Sequence, residues 1–150
     1  MNIPHIFIFS PGQWLGEGKI LLNLMDEELI FQTNWIVQQG DFAGRIACAQ
    51  EIQIAGISDE MHNDLTFYDL RSNSFAVDLE NPNVGKVVGK GVFDGQMVAW
   101  EFRNTDAEFE GYESYMLQPD GSYMMKAEYL TSDQLRTQIE ARIWKHSEAQ

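Results

Sequence analysis

The sequence predicts an all-β fold, an antiparallel up-and-down barrel of about ten strands, and three observations predict it. Apolar and polar residues alternate with a period of two: Ile46, Cys48, Gln50, Ile52 and Ile54 interleave with Ala47, Ala49, Glu51 and Gln53. Turn residues cut the chain at short, regular intervals. The length of 150 residues, with 44% hydrophobic and 22% charged side chains, suits one domain with a sizeable core and no need of staples. We read that domain as a lead-in over 1–11, a barrel over 12–145 and a tail over 146–150.

Each strand has its own warrant. Leu15 to Met25 is apolar-rich and is broken by Met25-Asp26-Glu27-Glu28. Leu29 to Val37 follows, with Leu29, Phe31, Thr33, Trp35 and Val37 on one parity. Gly40-Asp41 and Gly44 mark a turn before the strand of Ile46 to Ile54. Polar Ser58 to Asp64 reads as a loop. Leu65 to Leu70 and Phe75 to Leu79 flank a turn at Ser72-Asn73, and Asn81-Pro82-Asn83 is a turn because proline fixes its own φ and extends the residue before it. Val84 to Phe93 and Gln96 to Arg103 flank Asp94-Gly95, a hairpin signal that expects positive φ. Phe109 to Leu117 and Tyr123 to Leu130 flank Pro119-Asp120-Gly121, a second hairpin. In the last segment Leu135, Ile139 and Ile143 lie four apart, as a helix wants, whereas Thr137, Ile139, Ala141 and Ile143 alternate as a strand wants. The β-branched residues and the preceding hairpin rhythm favour a strand. Closing such a sheet removes its exposed edges and leaves an interior to fill.

Charge narrows the function. Ten Lys and Arg stand against 23 Asp and Glu, a formal net charge of −13. Such a surface repels phosphate backbones and anionic lipid, so neither nucleic-acid binding nor membrane insertion is expected. The single cysteine, Cys48, allows no internal disulfide, and no signal-peptide core or membrane-length apolar run is present, so a cytoplasmic location is expected.

One motif carries a family resemblance. Gly12-Gln13-Trp14-Leu15-Gly16-Glu17-Gly18 resembles the G-x-W-x-G-x-G opening of lipocalin-like barrels, the calycin group. Within that group it is most similar to the small ten-stranded intracellular branch that includes the nitrobindins. The resemblance implies a central ligand cavity, with Trp14 plugging the closed end and a basic residue of the last strand, Arg142, packed over it. The physics alone permits such a brace. An indole is bulky enough to fill a barrel end, a guanidinium over it adds about 0.5–2 kcal/mol, and glycines at 16 and 18 leave space beside it. Parity stands against it: Ile139 and Ile143 lie on the face opposite to Arg142, and only one set points inward. The helices between the first two strands of fatty-acid-binding proteins have no room here. The nitrobindin branch binds haem through a late-strand histidine, and here Gln138 and Glu140 occupy the middle of the last strand, so neither haem nor another cofactor is expected.

Other motifs carry no chemistry of their own. Gly85-Lys86-Val87-Val88-Gly89-Lys90-Gly91 lacks the spacing and hydroxyl of a phosphate loop and reads as glycines bending a strand. Glu60, His62 and Asp64 lie near one another, but three ligands on a polar loop without a fourth read as surface, so no metal is expected. Cys48 reads as a small buried apolar side chain. Glu108 to Tyr115 alternates acids with aromatics and reads as core rings on one face and solvated acids on the other.

The expected function is binding of a small apolar molecule, its identity open. The expected pocket, taken from the apolar parity of each strand, comprises Ile20, Leu22, Phe31, Trp35, Gln50, Ile52, Phe67, Phe75, Trp100, Phe102, Tyr115 and Tyr129, entered past Ser58 to Asp64. No catalytic residue is assigned. The alternatives are an isomerase- or lyase-type enzyme using Glu140 with Tyr115 or Tyr129, and a filled barrel serving as a structural or interaction domain.

Overall fold

The computed structural model describes residues 3–24, 27–104, 109–131 and 135–146. Ten strands run in chain order: β1 (Gly12–Leu22), β2 (Glu28–Val37), β3 (Ile46–Ile54), β4 (Met61–Tyr68), β5 (Ser74–Asn81), β6 (Gly85–Phe93), β7 (Met97–Asn104), β8 (Phe109–Leu117), β9 (Tyr123–Leu130) and β10 (Arg136–Lys145). Every neighbouring pair is antiparallel, and β10 pairs with β1 to close the barrel. No helix among the described residues is long and apolar enough to cross a membrane. The ambiguous last segment is therefore a strand. It supplies the two backbone ladders, to β1 and β9, without which the sheet would keep two open edges.

Alternation fixes which side chains face inward. In β3, Ile46, Cys48, Gln50 and Ile54 are buried, and in β7, Val98, Trp100 and Phe102 are. Glycines on inward positions leave room for rings on the adjoining strand. A Cβ on Gly91 would lie 2.2 Å from the Phe75 ring, and one on Gly111 would lie 2.2 Å from that of Tyr129. Gly16 and Gly18 act similarly, but towards β10 rather than Trp14: a Cβ would meet Ile143 at 2.4 Å or the Glu140 carbonyl at 2.0 Å.

The turns depart from expectation in two places. At Asp94-Gly95 neither residue takes positive φ. Instead the Asp94 carboxylate accepts the backbone N–H of Gln96 at 2.8 Å and of Met97 at 2.9 Å, so a side chain does what a tight two-residue turn asks of the backbone. The expected loop at Ser58 to Asp64 is shorter, because β4 begins at Met61. The Pro119-Asp120-Gly121 hairpin keeps its expected form, with Gly121 at φ 87°. The turn at Met25 and Asp26 and the tail beyond His146 lie outside the described residues.

The lead-in contributes to the core. Backbone N–H groups of Phe9 and Ser10 bond to the Ile6 carbonyl, and this turn drives Phe7 and Ile8 completely out of solvent. Ile8 sits at φ 63°, a conformation costly for a β-branched residue, by about 1–3 kcal/mol. Burial of two large apolar side chains, at about 1.5–3 kcal/mol each, offsets it.

Candidate functional site

The two barrel ends differ. At the end where β2 meets β3, β4 meets β5, β6 meets β7 and β8 meets β9, the N-terminal segment forms a plug. Phe7 contacts the rings of Trp14, Trp35, Tyr115 and Tyr123 at centroid distances of 5.1, 5.4, 4.9 and 5.3 Å. His5 lies beside it, with Nε2 2.6 Å from the Asp94 carbonyl and Nδ1 2.6 Å from the Tyr123 hydroxyl. A carbonyl only accepts, so the Nε2 N–H donates to Asp94, and the Nδ1–Tyr123 hydroxyl pair makes the second bond.

Trp14 is thus a closed-end residue, but its partner is Phe7 and not Arg142. The proposed brace is corrected by strand parity: Ala141 and Ile143 are buried inward, which turns Arg142 outward. Its guanidinium lies over Trp144, 5.6 Å from the centroid, and donates to Asp120 Oδ2 at 3.0 Å. Asp120 is held down to about 2 by hydrogen bonds from Ser122 first and by Arg142 second.

All twelve expected pocket residues occupy inward positions, but they do not share one cavity. Trp35, Phe67, Phe75, Trp100 and Tyr115 are covered by one another and by Phe7. Phe67 meets Trp100 at 5.3 Å, Phe67 meets Phe75 at 5.7 Å, and Tyr115 stacks on Trp100 at 4.9 Å. These five fill the closed half instead of lining a space, which corrects their assignment as pocket walls. Towards the other end the described inward side chains are less covered. Leu22, Ile52 and Tyr129 are inward-facing yet only half-buried, as are Leu29 and Ile139, which parity alone had not singled out as ligand contacts. Ile20, Phe31, Gln50 and Phe102 are buried beneath them.

Two polar stripes cross this apolar wall. On β2 to β5, Asn81 donates to Asn63 Oδ1 at 3.0 Å, Asn63 to Gln50 Oε1 at 3.0 Å, Gln50 to Thr33 Oγ1 at 3.2 Å, and Thr33 to the Glu51 carbonyl at 2.9 Å. One turn fixes the direction of the whole ladder. Asn81 Oδ1 accepts the backbone N–H of Asn83 and Val84, so that atom must be oxygen and each following amide is oriented in sequence. Every amide nitrogen in the ladder keeps one further N–H to donate.

The second stripe is on β8 and β9. Glu113 is buried mid-barrel. Tyr115, two residues towards the closed end, donates to Glu113 Oε1 at 2.5 Å, and Tyr129, on the open side, donates to Oε2. Burial pushes the Glu113 carboxyl above the ordinary glutamate range, against the opposing pull of the two phenols and of Trp100. Both phenols are pushed well up, by burial first and by the neighbouring carboxylate second. The indole N–H groups of Trp35 and Trp100 find no acceptor; that of Trp100 is near enough to favour the Glu113 anion but is not aligned as a hydrogen bond.

The sequence reading missed Glu113 by placing the acids of this segment in solvent. Glu113 shares the parity of Phe109 and Tyr115, and among the described residues of this segment Glu110 and Tyr112 are the exposed ones, as expected of an outer face. Glu140, offered for the enzymatic alternative, lies outside the barrel within 4.0 Å of Lys19. Cys48 is buried, and burial raises its thiol to about 12, leaving no thiolate for nucleophilic work. His62 and Asp64 pair with each other at 2.9 Å on the outer face of β4, and the described residues contain no cluster able to hold a metal.

The described strands form a closed ten-stranded antiparallel barrel with one end plugged, a lipocalin-like fold. No protein-family model and no curated protein matches the sequence. Solved structures do match the fold. S-type phycobiliprotein lyase CPES from Guillardia theta superposes with a TM-score of 0.70 at 10% identity, over 95% of this chain and 92% of that one. Rv2717c from M. tuberculosis superposes with a TM-score of 0.71 at 14% identity, over 98% of this chain and 100% of that one.

Proposed function

We propose that the protein binds one small, largely apolar molecule in the open half of its barrel. The observation that carries this is the contrast between the ends. Inward-facing Leu22, Leu29, Ile52 and Ile139 remain half-accessible at one end, while the inward rings at the other are sealed by Phe7. A barrel evolved only to be filled gains about 25 cal/mol for every Å² it covers, so apolar side chains left uncovered inside it suit a guest. The formal net charge of −13 supports a small molecule over nucleic acid or anionic membrane as the partner. Within the calycin group we place the chain nearest the nitrobindin-like branch, on its ten strands and on a β1–β2 connection confined to residues 23–27.

We do not extend that placement to haem. His5 lies in the plug, and His62 and His146 are exposed, so no histidine reaches the open half. One structural neighbour is a phycobiliprotein lyase. Its 10% identity speaks for fold alone, and the isomerase- or lyase-type alternative loses Glu140, which faces outward beside Lys19.

The test is titration with a fluorescent apolar probe, alongside native mass spectrometry of the purified protein. Saturation near one probe per chain, abolished in a folded Ile52→Glu variant, is the expected result. Absence of saturable binding overturns the proposal and leaves a structural barrel.

A further inference from the structure

We propose that Glu113 and Tyr129 form the polar anchor of this ligand site, and that they select apolar molecules carrying a neutral acceptor oxygen, such as a ketone, quinone or ester carbonyl. The inference rests on the binding reading above and names the chemistry of its guest.

Three hydroxyl-bearing groups stand in order along the barrel. Tyr115 is fully buried on the closed side of Glu113, packed against Phe7 and Trp100. Tyr129 is half-buried on the open side, stacked on Phe109 and lying over Gly111, with its hydroxyl turned in to Glu113. When Glu113 is ionised, it accepts from both phenols and offers nothing to a ligand. When it is neutral, its own O–H must be donated. Donation to Tyr129 Oη releases the Tyr129 hydrogen, which then turns to an acceptor in the open half. Tyr115 has no such freedom, because rings enclose it. The neutral acid and Tyr129 thus form a two-step donor chain ending at the ligand chamber, and each bond in such a chain strengthens the next.

The surroundings favour the neutral form. The groups facing Glu113 directly are Trp100 from β7 and Ala127 from β9, neither charged, and among the described residues its titratable neighbours are Tyr115 and Tyr129. Burial is the largest influence on its carboxyl and holds the proton on. Unmet donor capacity at the same level bears on the guest rather than on the acid. The Trp100 N–H opposite Glu113 is buried without an acceptor, and the amide ladder has N–H groups to spare. An interior rich in donors and poor in unused acceptors suits a carbonyl oxygen better than an amine or an alcohol.

The experiment uses two probes: a dimethylaminonaphthyl ketone, whose emission moves to the red when its carbonyl accepts a hydrogen bond, and the same dimethylaminonaphthalene without the carbonyl. The ketone is expected to bind about tenfold tighter, with red-shifted emission, and that preference should fall away as pH rises through the Glu113 titration. Tyr129→Phe should erase the difference between the probes. Glu113→Gln should keep it and remove its pH dependence, since the amide donates to Tyr129 Oη at every pH. Equal affinity of both probes for the native protein, or a preference that survives Tyr129→Phe, overturns the anchor while leaving the chamber standing. Failure of both probes to bind overturns the chamber and the anchor with it.

Discussion

Phe7 meets Trp14 edge-on at a centroid distance of 5.1 Å, and this contact, not a cation over the indole, seals the closed end. Edge-to-face geometry places the positive rim of one ring on the negative face of the other, adding about 0.5–1.5 kcal/mol to the area buried. Because Phe7 also touches Trp35, Tyr115 and Tyr123, its loss leaves a cavity bordered by four rings that cannot collapse together. Phe7→Ala is expected to destabilise the protein by about 3–5 kcal/mol, read from urea unfolding. A loss under about 1 kcal/mol would show that the segment rests on the barrel without supporting it.

Trp14 and Arg142 should behave as unrelated residues. Trp14→Ala removes a buried indole and should cost about 3–5 kcal/mol. Arg142→Gln removes only solvent-exposed contacts to Asp120 and Trp144, so the melting temperature should hardly move. The double substitution should equal the sum of the single ones. Coupling between them in a double-mutant cycle would restore the brace.

Much of this was legible beforehand, and the failures share a cause. Period-two alternation separates inward from outward side chains, so all twelve expected pocket residues do face in. Alternation says nothing of height along the barrel axis, and the division into a sealed aromatic half and an open half is a matter of height. Phe7 and Ile8 have no strand period and fill the barrel only through a turn with Ile8 at positive φ. Arg142 was a parity conflict decided by the burial of Ala141 and Ile143. Glu113 was readable by parity, and general expectation for acids concealed it.

The inward glycines should resist even the smallest side chain. A methyl at Gly91 would stand 2.2 Å from the Phe75 ring, and at Gly111 the same distance from that of Tyr129. Gly91→Ala must displace a ring held against Phe67, Phe93 and Trp100, and should cost about 1–3 kcal/mol by overpacking. Gly111→Ala displaces Tyr129 and should additionally lower probe binding. By contrast Gly95→Ala, with open space around the new methyl and no positive φ, should leave thermal stability nearly unchanged.

Glu113 should make stability depend on pH in a defined direction. In the unfolded chain it titrates in the ordinary glutamate range, and in the fold burial raises it. A raised carboxyl means that the native state holds the proton more tightly than the unfolded one. The resulting stabilisation is complete below the unfolded value and is lost as pH rises through the folded one. Tyr115 and Tyr129 are pushed well up, so they stay protonated while this happens and leave the carboxyl as the group responsible. Urea unfolding across this range should show the native protein losing stability relative to Glu113→Gln as pH rises, because the amide has no proton to lose. If the stability difference between the two is flat with pH, Glu113 titrates alike in both states, and neither its burial nor its donor role to Tyr129 is as described.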